Sequence, residues 1–365
     1  MAPQAPEVPE SSFDNLAPKT LPEAKADDAF HGTALKLNTQ GHEERTFDIN
    51  FKGMFNDLKN VDWSQVVWSK LSIVAVLHVC MLYGAWLLFS GQTMLNTMIW
   101  AYVCYFFSGV GITLGVHRLW AHRCYKAKTP LRIFLMLCHA LSFQGSIYDW
   151  VRDHRVHHKF SETDADPYNA HRGLFFSHVG WVMVKKHPSI KEKGKGIDVS
   201  DITSDPVAIF QYKYYYQLVA IFCFGIPTVI PWYFWGEDAI TALMVAGFLR
   251  HGLALHATWS INSIAHWFGS KPVDKNIYPV NTNFVNVVAM GEGWHNFHHV
   301  FPYDYRSSEL GGWMNHISTF NVCTLLIDCL ALIGQAYDRR TVSNDMIQRR
   351  ILRTGDGSHE SKKVK

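Results

Sequence analysis

The segment LSIVAVLHVCMLYGAWLLFS, residues 71–90, carries no charged side chain. An α-helix rises about 1.5 Å per residue, so a segment of this length crosses the roughly 30 Å hydrocarbon core of a bilayer. A second segment of similar length, MLNTMIWAYVCYFFSGVGITL, occupies residues 94–114, only three residues further on. Because the connection is so short, the two segments are predicted to form a transmembrane hairpin.

Residues 214–235 and 239–260 make a second pair of apolar segments, again joined by a three-residue connection. The last segment carries Arg250, His251 and His256. Polar groups at membrane depth are expensive unless they face protein, so these side chains are expected to point into the helix bundle. The pattern predicts an all-α integral membrane protein with four transmembrane helices in two hairpins.

The distribution of basic residues predicts the orientation of the hairpins. The connections 91–93 and 236–238 contain no lysine or arginine, whereas the segment 117–213 is rich in both. Loops with an excess of lysine and arginine stay on the cytosolic side. We therefore expect this segment, the other long loops and both termini to lie in the cytosol.

The polar ends of the chain give the predicted domain limits. Residues 1–66 lack sustained apolar periodicity and are predicted to be a disordered cytosolic arm, with an amphipathic stretch over 48–68 on the membrane surface. Residues 67–340 form the membrane domain, and residues 341–365 form a cytosolic tail. These charged ends explain why the mean hydropathy of the whole chain is only −0.04.

Net charge and cysteine content exclude some classes of protein. A net charge of +3 and a pI near 8.4 are too weak to indicate a nucleic-acid-binding protein. Seven cysteines occur without a C-x-x-C pair, so they are interpreted as reduced thiols.

Histidine is unusually frequent, with 20 residues in 365. Three boxes, HRLWAH (117–122), HRVHH (154–158) and HNFHH (295–299), contain His117, His122, His154, His157, His158, His295, His298 and His299. If the second and third boxes are helical, residues three and four apart share a face, so each box is expected to present its three imidazoles to one point. A lone histidine is usually structural, but this repetition indicates metal binding.

A fourth element, NSIAH, places Asn262 four residues before His266 at the cytosolic end of the last predicted span. One metal needs three or four protein ligands, so nine histidines and an amide predict two metals, each with about five ligands. Asn262 is expected to act through a bound water. Imidazole suits iron, copper, zinc and nickel, so the ligand type leaves the metal open.

Longer motifs surround the boxes: GITLGVHRLWAH (111–122), WVRDH (150–154), KFSETDADP (159–167), FSHVGW (176–181), GEGWH (291–295) and RTGDGSH (353–359). In these motifs the chain resembles the animal stearoyl-CoA (acyl-CoA Δ9) desaturase family, as an arthropod-type member, over about four fifths of its length.

The resemblance implies a cone of four transmembrane helices beneath a cytosolic helical cap that holds the histidine dimetal site, with two iron ions bound by the nine histidines. It also implies a long-chain acyl-CoA substrate, O2 as co-substrate, a cis double bond at Δ9, and electrons from NADH through cytochrome b5 and its reductase. The expected location is the endoplasmic reticulum membrane, and the C-terminal sequence KKVK (362–365) is similar to a di-lysine retrieval signal.

The same resemblance implies roles for residues outside the boxes. Residues matching the bend of an acyl tunnel are Gln144, Trp150 and Thr258; residues near its closed end are Tyr105 and Gly109; residues associated with CoA are Arg152, Asp153 and Lys186. Gly109 is expected to leave room for a long acyl chain, because it has no side chain.

Two other functions remain open from the residues. Similar histidine boxes occur in fatty-acyl and sterol hydroxylases, which would yield a hydroxyl group rather than a double bond. A membrane metal transporter or sensor would also use histidines, but transport requires ligands halfway through the membrane, whereas these boxes lie at or beyond the predicted helix ends.

Overall fold

The computed structural model of the chain describes residues 62–308 and 321–359, together with the short strands β1 (Lys36–Leu37) and β2 (Glu43–Glu44). The rest of the predicted N-terminal arm, and most of its amphipathic stretch, lies outside the described residues.

Helices account for most of the described chain. They are α1 (Trp68–Phe89), α2 (Leu95–Ala121), α3 (Thr129–Ser142), α4 (Ile147–Phe160), α5 (Pro188–Gly194), α6 (Ser200–Thr203), α7 (Pro206–Lys213), α8 (Tyr215–Trp235), α9 (Ala239–Trp267), α10 (Asn283–Val288), α11 (His295–Val300), α12 (Val322–Leu332) and α13 (Asn344–Thr354). Shorter helical segments are Trp63–Gln65, Ala170–Arg172, Phe176–Gly180 and Trp181–Met183.

Four of these helices, α1, α2, α8 and α9, are long and apolar enough to cross a membrane, which confirms the predicted two hairpins. Helix α1 exposes large apolar side chains such as Val79 and Leu82, and α8 exposes Tyr233 and Phe234. Such an apolar outer surface is the surface expected against lipid.

Helices α2 and α9 are longer than the predicted spans, because they continue to Ala121 and Trp267. The last part of α2, Gly111–Ala121, is wound as a π-helix and is buried throughout. We expected the first histidine box to lie beyond the helix end. Instead, His117 lies within α2 and His122 directly follows it, so one continuous helix positions both rings.

The main core lies where α2 meets α3 and α4. A Cβ added to Gly111 would overlap the backbone of Cys138 and His139 in α3, so glycine is required for this close approach. As predicted, Arg250 in α9 faces protein. It is 2% exposed and donates to the carbonyl oxygens of Ala246 and Leu141.

The cap is mostly helical. It also contains one short antiparallel pair of strands. Strand β3 (Lys126–Ala127), just after α2, pairs with β4 (Ala336–Tyr337), just after α12. Helix α13 packs Ile347 and Ile351 against Phe297 of α11. The third histidine box is thus supported from the C-terminal side of the chain.

Candidate metal centre

Helix α4 carries the second histidine box. Its first turn is capped by Ser146, whose hydroxyl oxygen accepts the backbone N–H of Asp149 at 3.1 Å. A cap of this kind satisfies one of the unpaired N–H groups at a helix start. The helix then continues without interruption through His154 and His158, which are four residues apart and therefore lie on one side.

The nine predicted histidines meet in two groups beneath the cap. The five-histidine group contains His117, His122, His154, His158 and His298, and the four-histidine group contains His157, His266, His295 and His299. Within each group, one ring nitrogen of every member lies within 4.8 Å of the others. Four separate elements therefore deliver imidazoles to two points.

Each H-x-x-H-H box is divided between the two groups. His154 and His158 belong to one group, while His157 belongs to the other. The expectation that a box presents all three rings to one point was wrong. Successive residues of a helix are about 100° apart, so neighbours such as His157 and His158 point in different directions. The third box follows the same rule, with His298 separated from its two partners.

Distances within the groups fit metal ligation. The Nε2–Nε2 distances are 3.0 Å for His117–His298, 2.8 Å for His122–His154, 3.1 Å for His158–His298, and 3.0 Å for His295 to both His266 and His299. Imidazole nitrogens bind zinc at about 2.0–2.1 Å, so two nitrogens at right angles around one such ion lie roughly 3 Å apart. The donor set therefore fits two metal ions.

His157 supplies an independent sign of the same fit. Its Nδ1–H donates to Asp166 at 2.8 Å, which leaves Nε2 with a free lone pair. That Nε2 atom is buried and has no hydrogen-bond partner among the described residues. A buried polar atom without a partner is costly, and a metal ion in the four-histidine group would satisfy it.

Carboxylates orient three of the rings. In the four-histidine group, His157 is bonded to Asp166, and His266 Nδ1 donates to Glu162 at 2.5 Å. In the five-histidine group, His117 Nδ1 lies 3.2 Å from Glu292. A carboxylate behind a ligating histidine fixes its tautomer and raises its basicity.

Burial keeps most of the rings neutral, as metal ligands must be. It lowers the pKa of six histidines well below the usual value, and neighbouring histidines lower it further; these are His122, His154, His158, His295, His298 and His299. At His157 burial acts in the same direction, but Asp166 outweighs it and raises the pKa. For Glu292, burial opposes the charge, yet Arg118 and His117 lower the pKa to about 2.

Asn262 lies one turn before His266, at the end of the regular α-helical part of α9, and is partly buried. It is thus on the element that brings His266 to the four-histidine group. Its role through a bound water stays a prediction.

A narrow cavity lies between α2, α9 and the segment after α10, and four of the predicted tunnel residues line it: Tyr105, Gly109, Gln144 and Thr258. The Gln144 amide donates to the Thr258 hydroxyl at 2.9 Å. The Tyr105 hydroxyl donates to the carbonyl oxygen of Val288 at 2.7 Å. The fifth residue, Trp150, stacks on His154 with 4.6 Å between ring centroids.

We expected Gly109 to leave room for an acyl chain, but the space beside it is filled. A Cβ added there would overlap the sulfur of Met290, which comes from the far end of the sequence. Sequence reasoning missed this contact because no local pattern links the two positions.

The three residues associated with CoA form one charged cluster at the cap surface. Arg152 donates to Asp153 at 3.1 Å, and Lys186 makes an ion pair with the same carboxylate. The side chains of Arg152 and Lys186 are 33% and 39% exposed, so both cations remain accessible to solvent.

Sequence reasoning also missed the three carboxylates behind the rings, Glu162, Asp166 and Glu292. Two of them stand in the quoted motif KFSETDADP, and Glu292 stands in GEGWH, directly before the third box. The available signal was an acidic residue within a few positions of a histidine box.

Comparison with known proteins agrees with this geometry. The family model described as fatty acid desaturase matches residues 95–311. The chain is 56% identical over 296 residues to an acyl-CoA Delta-9 desaturase of Acheta domesticus, covering 81% of each chain. It is 50% identical over 297 residues to stearoyl-CoA desaturase of Homo sapiens, covering 81% of this chain and 80% of the human one. It is also 51% identical over 296 residues to an acyl-CoA Delta12-desaturase of Acheta domesticus, covering 81% of each. With most of its length matched at this identity, the chain belongs to the fatty acid desaturase family.

Proposed function

We propose that the protein is an acyl-CoA desaturase that introduces one cis double bond, at Δ9, into a saturated long-chain acyl-CoA. The observation that carries the proposal is the pair of histidine groups beside a narrow, mostly apolar cavity. Removing hydrogen from unactivated methylenes is beyond acid–base side chains, since no methylene pKa is within their reach. The position of the double bond is the finer part of the proposal, because relatives named for Δ9 and Δ12 are similarly close.

The metal ions would be two irons, bound by the nine histidines of the two groups, with Asn262 holding a water. When bound, iron supplies the activation of O2 that this chemistry requires. The chain's own residues hold the rings neutral and oriented: Glu162, Asp166 and Glu292 accept the Nδ1–H groups, so that Nε2 of each ring faces the centre.

The cavity would fix which carbons of the acyl chain lie beside the metals. For a featureless chain, positioning is the main contribution that the protein can make. The Gln144–Thr258 hydrogen bond joins two walls of the cavity, and Trp150 lies between Gln144 and His154 in sequence and against His154 in space. We assign these residues to the tunnel bend, and Tyr105 and Gly109 to its closed end.

The CoA headgroup is polyanionic and would stay in cytosolic water. Arg152 and Lys186, held by Asp153, offer two accessible cations at the cap surface. Electrons would arrive from NADH through cytochrome b5 reductase and cytochrome b5 as separate partners. The location would be the endoplasmic reticulum membrane, with both termini cytosolic.

The test is expression in a desaturase-deficient yeast, followed by fatty-acid profiling and localisation of double bonds. We expect Δ9 monounsaturated products from the wild type. The variant His154→Ala should abolish these products. The control variant His187→Ala, which changes a histidine outside both groups, should not. Hydroxylated products would support the hydroxylase alternative, and metal uptake without any altered lipid would support the transporter alternative. Double bonds at another position would overturn only the Δ9 assignment.

A further inference from the structure

The position opposite Gly109 is occupied by the side chain of Met290. A Cβ added to Gly109 would overlap the Met290 sulfur and lie 3.7 Å from both its Cγ and its Cε. Both residues line the same cavity, together with Tyr105 and Thr258. The thioether therefore fills the space that a side chain at position 109 would take.

The backbone at Met290 makes this side chain unusual. Its φ of 57° lies in the left-handed region, directly after the end of α10, where glycine is the favoured residue. Residues other than glycine persist in such conformations when their surroundings hold them, and they cluster at functional sites. Met290 is only 6% exposed and belongs to the main core. A bulky side chain thus occurs where glycine would fit more easily.

Contacts on both sides fix the backbone of this segment against α2. Two residues before Met290, the carbonyl oxygen of Val288 accepts the Tyr105 hydroxyl at 2.7 Å. Two residues after it, the Glu292 carboxylate lies 3.2 Å from His117 Nδ1. The segment cannot slide along α2 without breaking these bonds, so only the side chain of Met290 is free to adapt. Methionine, unbranched and with three rotatable bonds, adapts readily.

We propose that Met290 is a chain-length determinant, and that its thioether forms the end wall of the acyl cavity in place of a side chain at position 109. This inference rests on the proposed desaturase function of the same cavity. A movable wall of this kind would accept more than one acyl length, with the preference set by the joint volume of the residues at 109 and 290.

The test is a double-mutant cycle on the full-length protein in membranes, supplied with cytochrome b5 and its reductase. Sixteen-, eighteen- and twenty-carbon acyl-CoAs compete in one reaction, so the product ratio does not depend on the amount of folded enzyme. Met290→Gly removes the side chain and suits the backbone, and Met290→Ala serves as the second variant. One methylene in an apolar pocket changes discrimination by roughly 10- to 200-fold.

We expect Met290→Gly to raise the relative kcat/KM for the longest substrate by about tenfold or more. Gly109→Ala should lower it in the wild type but much less in the Met290→Gly background, because the two positions share one space and Met290→Gly vacates it. Met81 and Gly252 are the matched control. A Cβ on Gly252 would overlap the Met81 sulfur in the same way, but neither residue lines the cavity of Gly109.

Equal product ratios for the wild type, Met290→Gly and Met81→Ala would overturn the inference while leaving the desaturase function intact. Additive effects of the two cavity substitutions would also overturn it, because residues that share one space change each other's effect. Absence of any unsaturated product from the wild type would instead contradict the proposed function itself.

Discussion

The five-histidine group and the four-histidine group use the same kind of ring atom, yet different charges lie behind them. Glu292, behind the first group, is bonded by the buried Arg118 at 2.8 Å as well as by His117. Glu162 and Asp166, behind the second group, take their further hydrogen bonds from backbone amides. The group with fewer imidazoles thus has two carboxylates facing it, and the group with more has one whose charge is offset.

The two groups therefore differ both in the number of imidazoles and in the charge that faces their rings. A carboxylate behind a ligating imidazole raises the basicity of that ring, which applies to two rings of the four-histidine group and to one ring of the five-histidine group. The two metal positions should therefore respond differently to substitutions that look alike in sequence.

Loss of one ring should have the largest effect and should differ between the groups. We expect both His266→Ala and His158→Ala to abolish desaturation. His266→Ala leaves three imidazoles and should reduce the metal content from about two ions to about one, whereas His158→Ala leaves four and should retain more. Metal analysis of purified protein measures this. Equal metal loss in the two variants would show that the groups are equivalent.

Neutralising Glu292 should act on folding. In Glu292→Gln, the fully buried Arg118 loses its carboxylate partner, and breaking a buried pair in this way costs about 3–5 kcal/mol. Thermal unfolding in detergent would measure the loss. Glu237→Gln is the matched control, because Glu237 is also buried but binds the hydroxyl of Thr97 and the backbone of Met94. Similar losses in both variants would contradict the importance of the Arg118 pair.

Neutralising the carboxylates of the four-histidine group should act on metal affinity. Asp166→Asn and Glu162→Gln retain an oxygen that can accept from the ring but remove its charge. Substitutions of such partners typically cost 10- to 100-fold in metal affinity. Metal retained after dialysis against graded chelator gives the readout. If both variants hold metal as firmly as the wild type, the charges of these two carboxylates do not affect the metal affinity of the four-histidine group.

The smallest expected effect concerns the support of the five-histidine group. Arg155, within the second box, donates to the carbonyl oxygens of Trp120 and Ala121 at the end of α2, and to Asp201. Lysine cannot reach all three, so Arg155→Lys should lower the free energy of unfolding by about 1–2 kcal/mol. Arg123→Lys, in a more exposed pair with Asp201, should change it by less than about 1 kcal/mol. If denaturation shows a larger loss of stability for Arg123→Lys than for Arg155→Lys, the contacts of Arg155 do not stabilise the end of α2 as we propose.

The membrane spans were predictable because hydrophobicity and length are local properties. The predicted starts of α8 and α9 fall within one residue of the structure. The ends of α2 and α9 were not predictable in the same way. Both helices continue into the cap, where polar residues remain helical because α4 and neighbouring segments bury them.

The four spans and the nine histidines could be read from the chain alone, since apolar length and residue spacing are local properties of a sequence. The residues that line the cavity were expected only from the resemblance to a family. Folding sets how the rings divide into groups of five and four, which carboxylates lie behind them, and that Met290 fills the space beside Gly109. These features depend on contacts between residues far apart in sequence, and such contacts exist only once α2, α4, α9 and α11 have packed together.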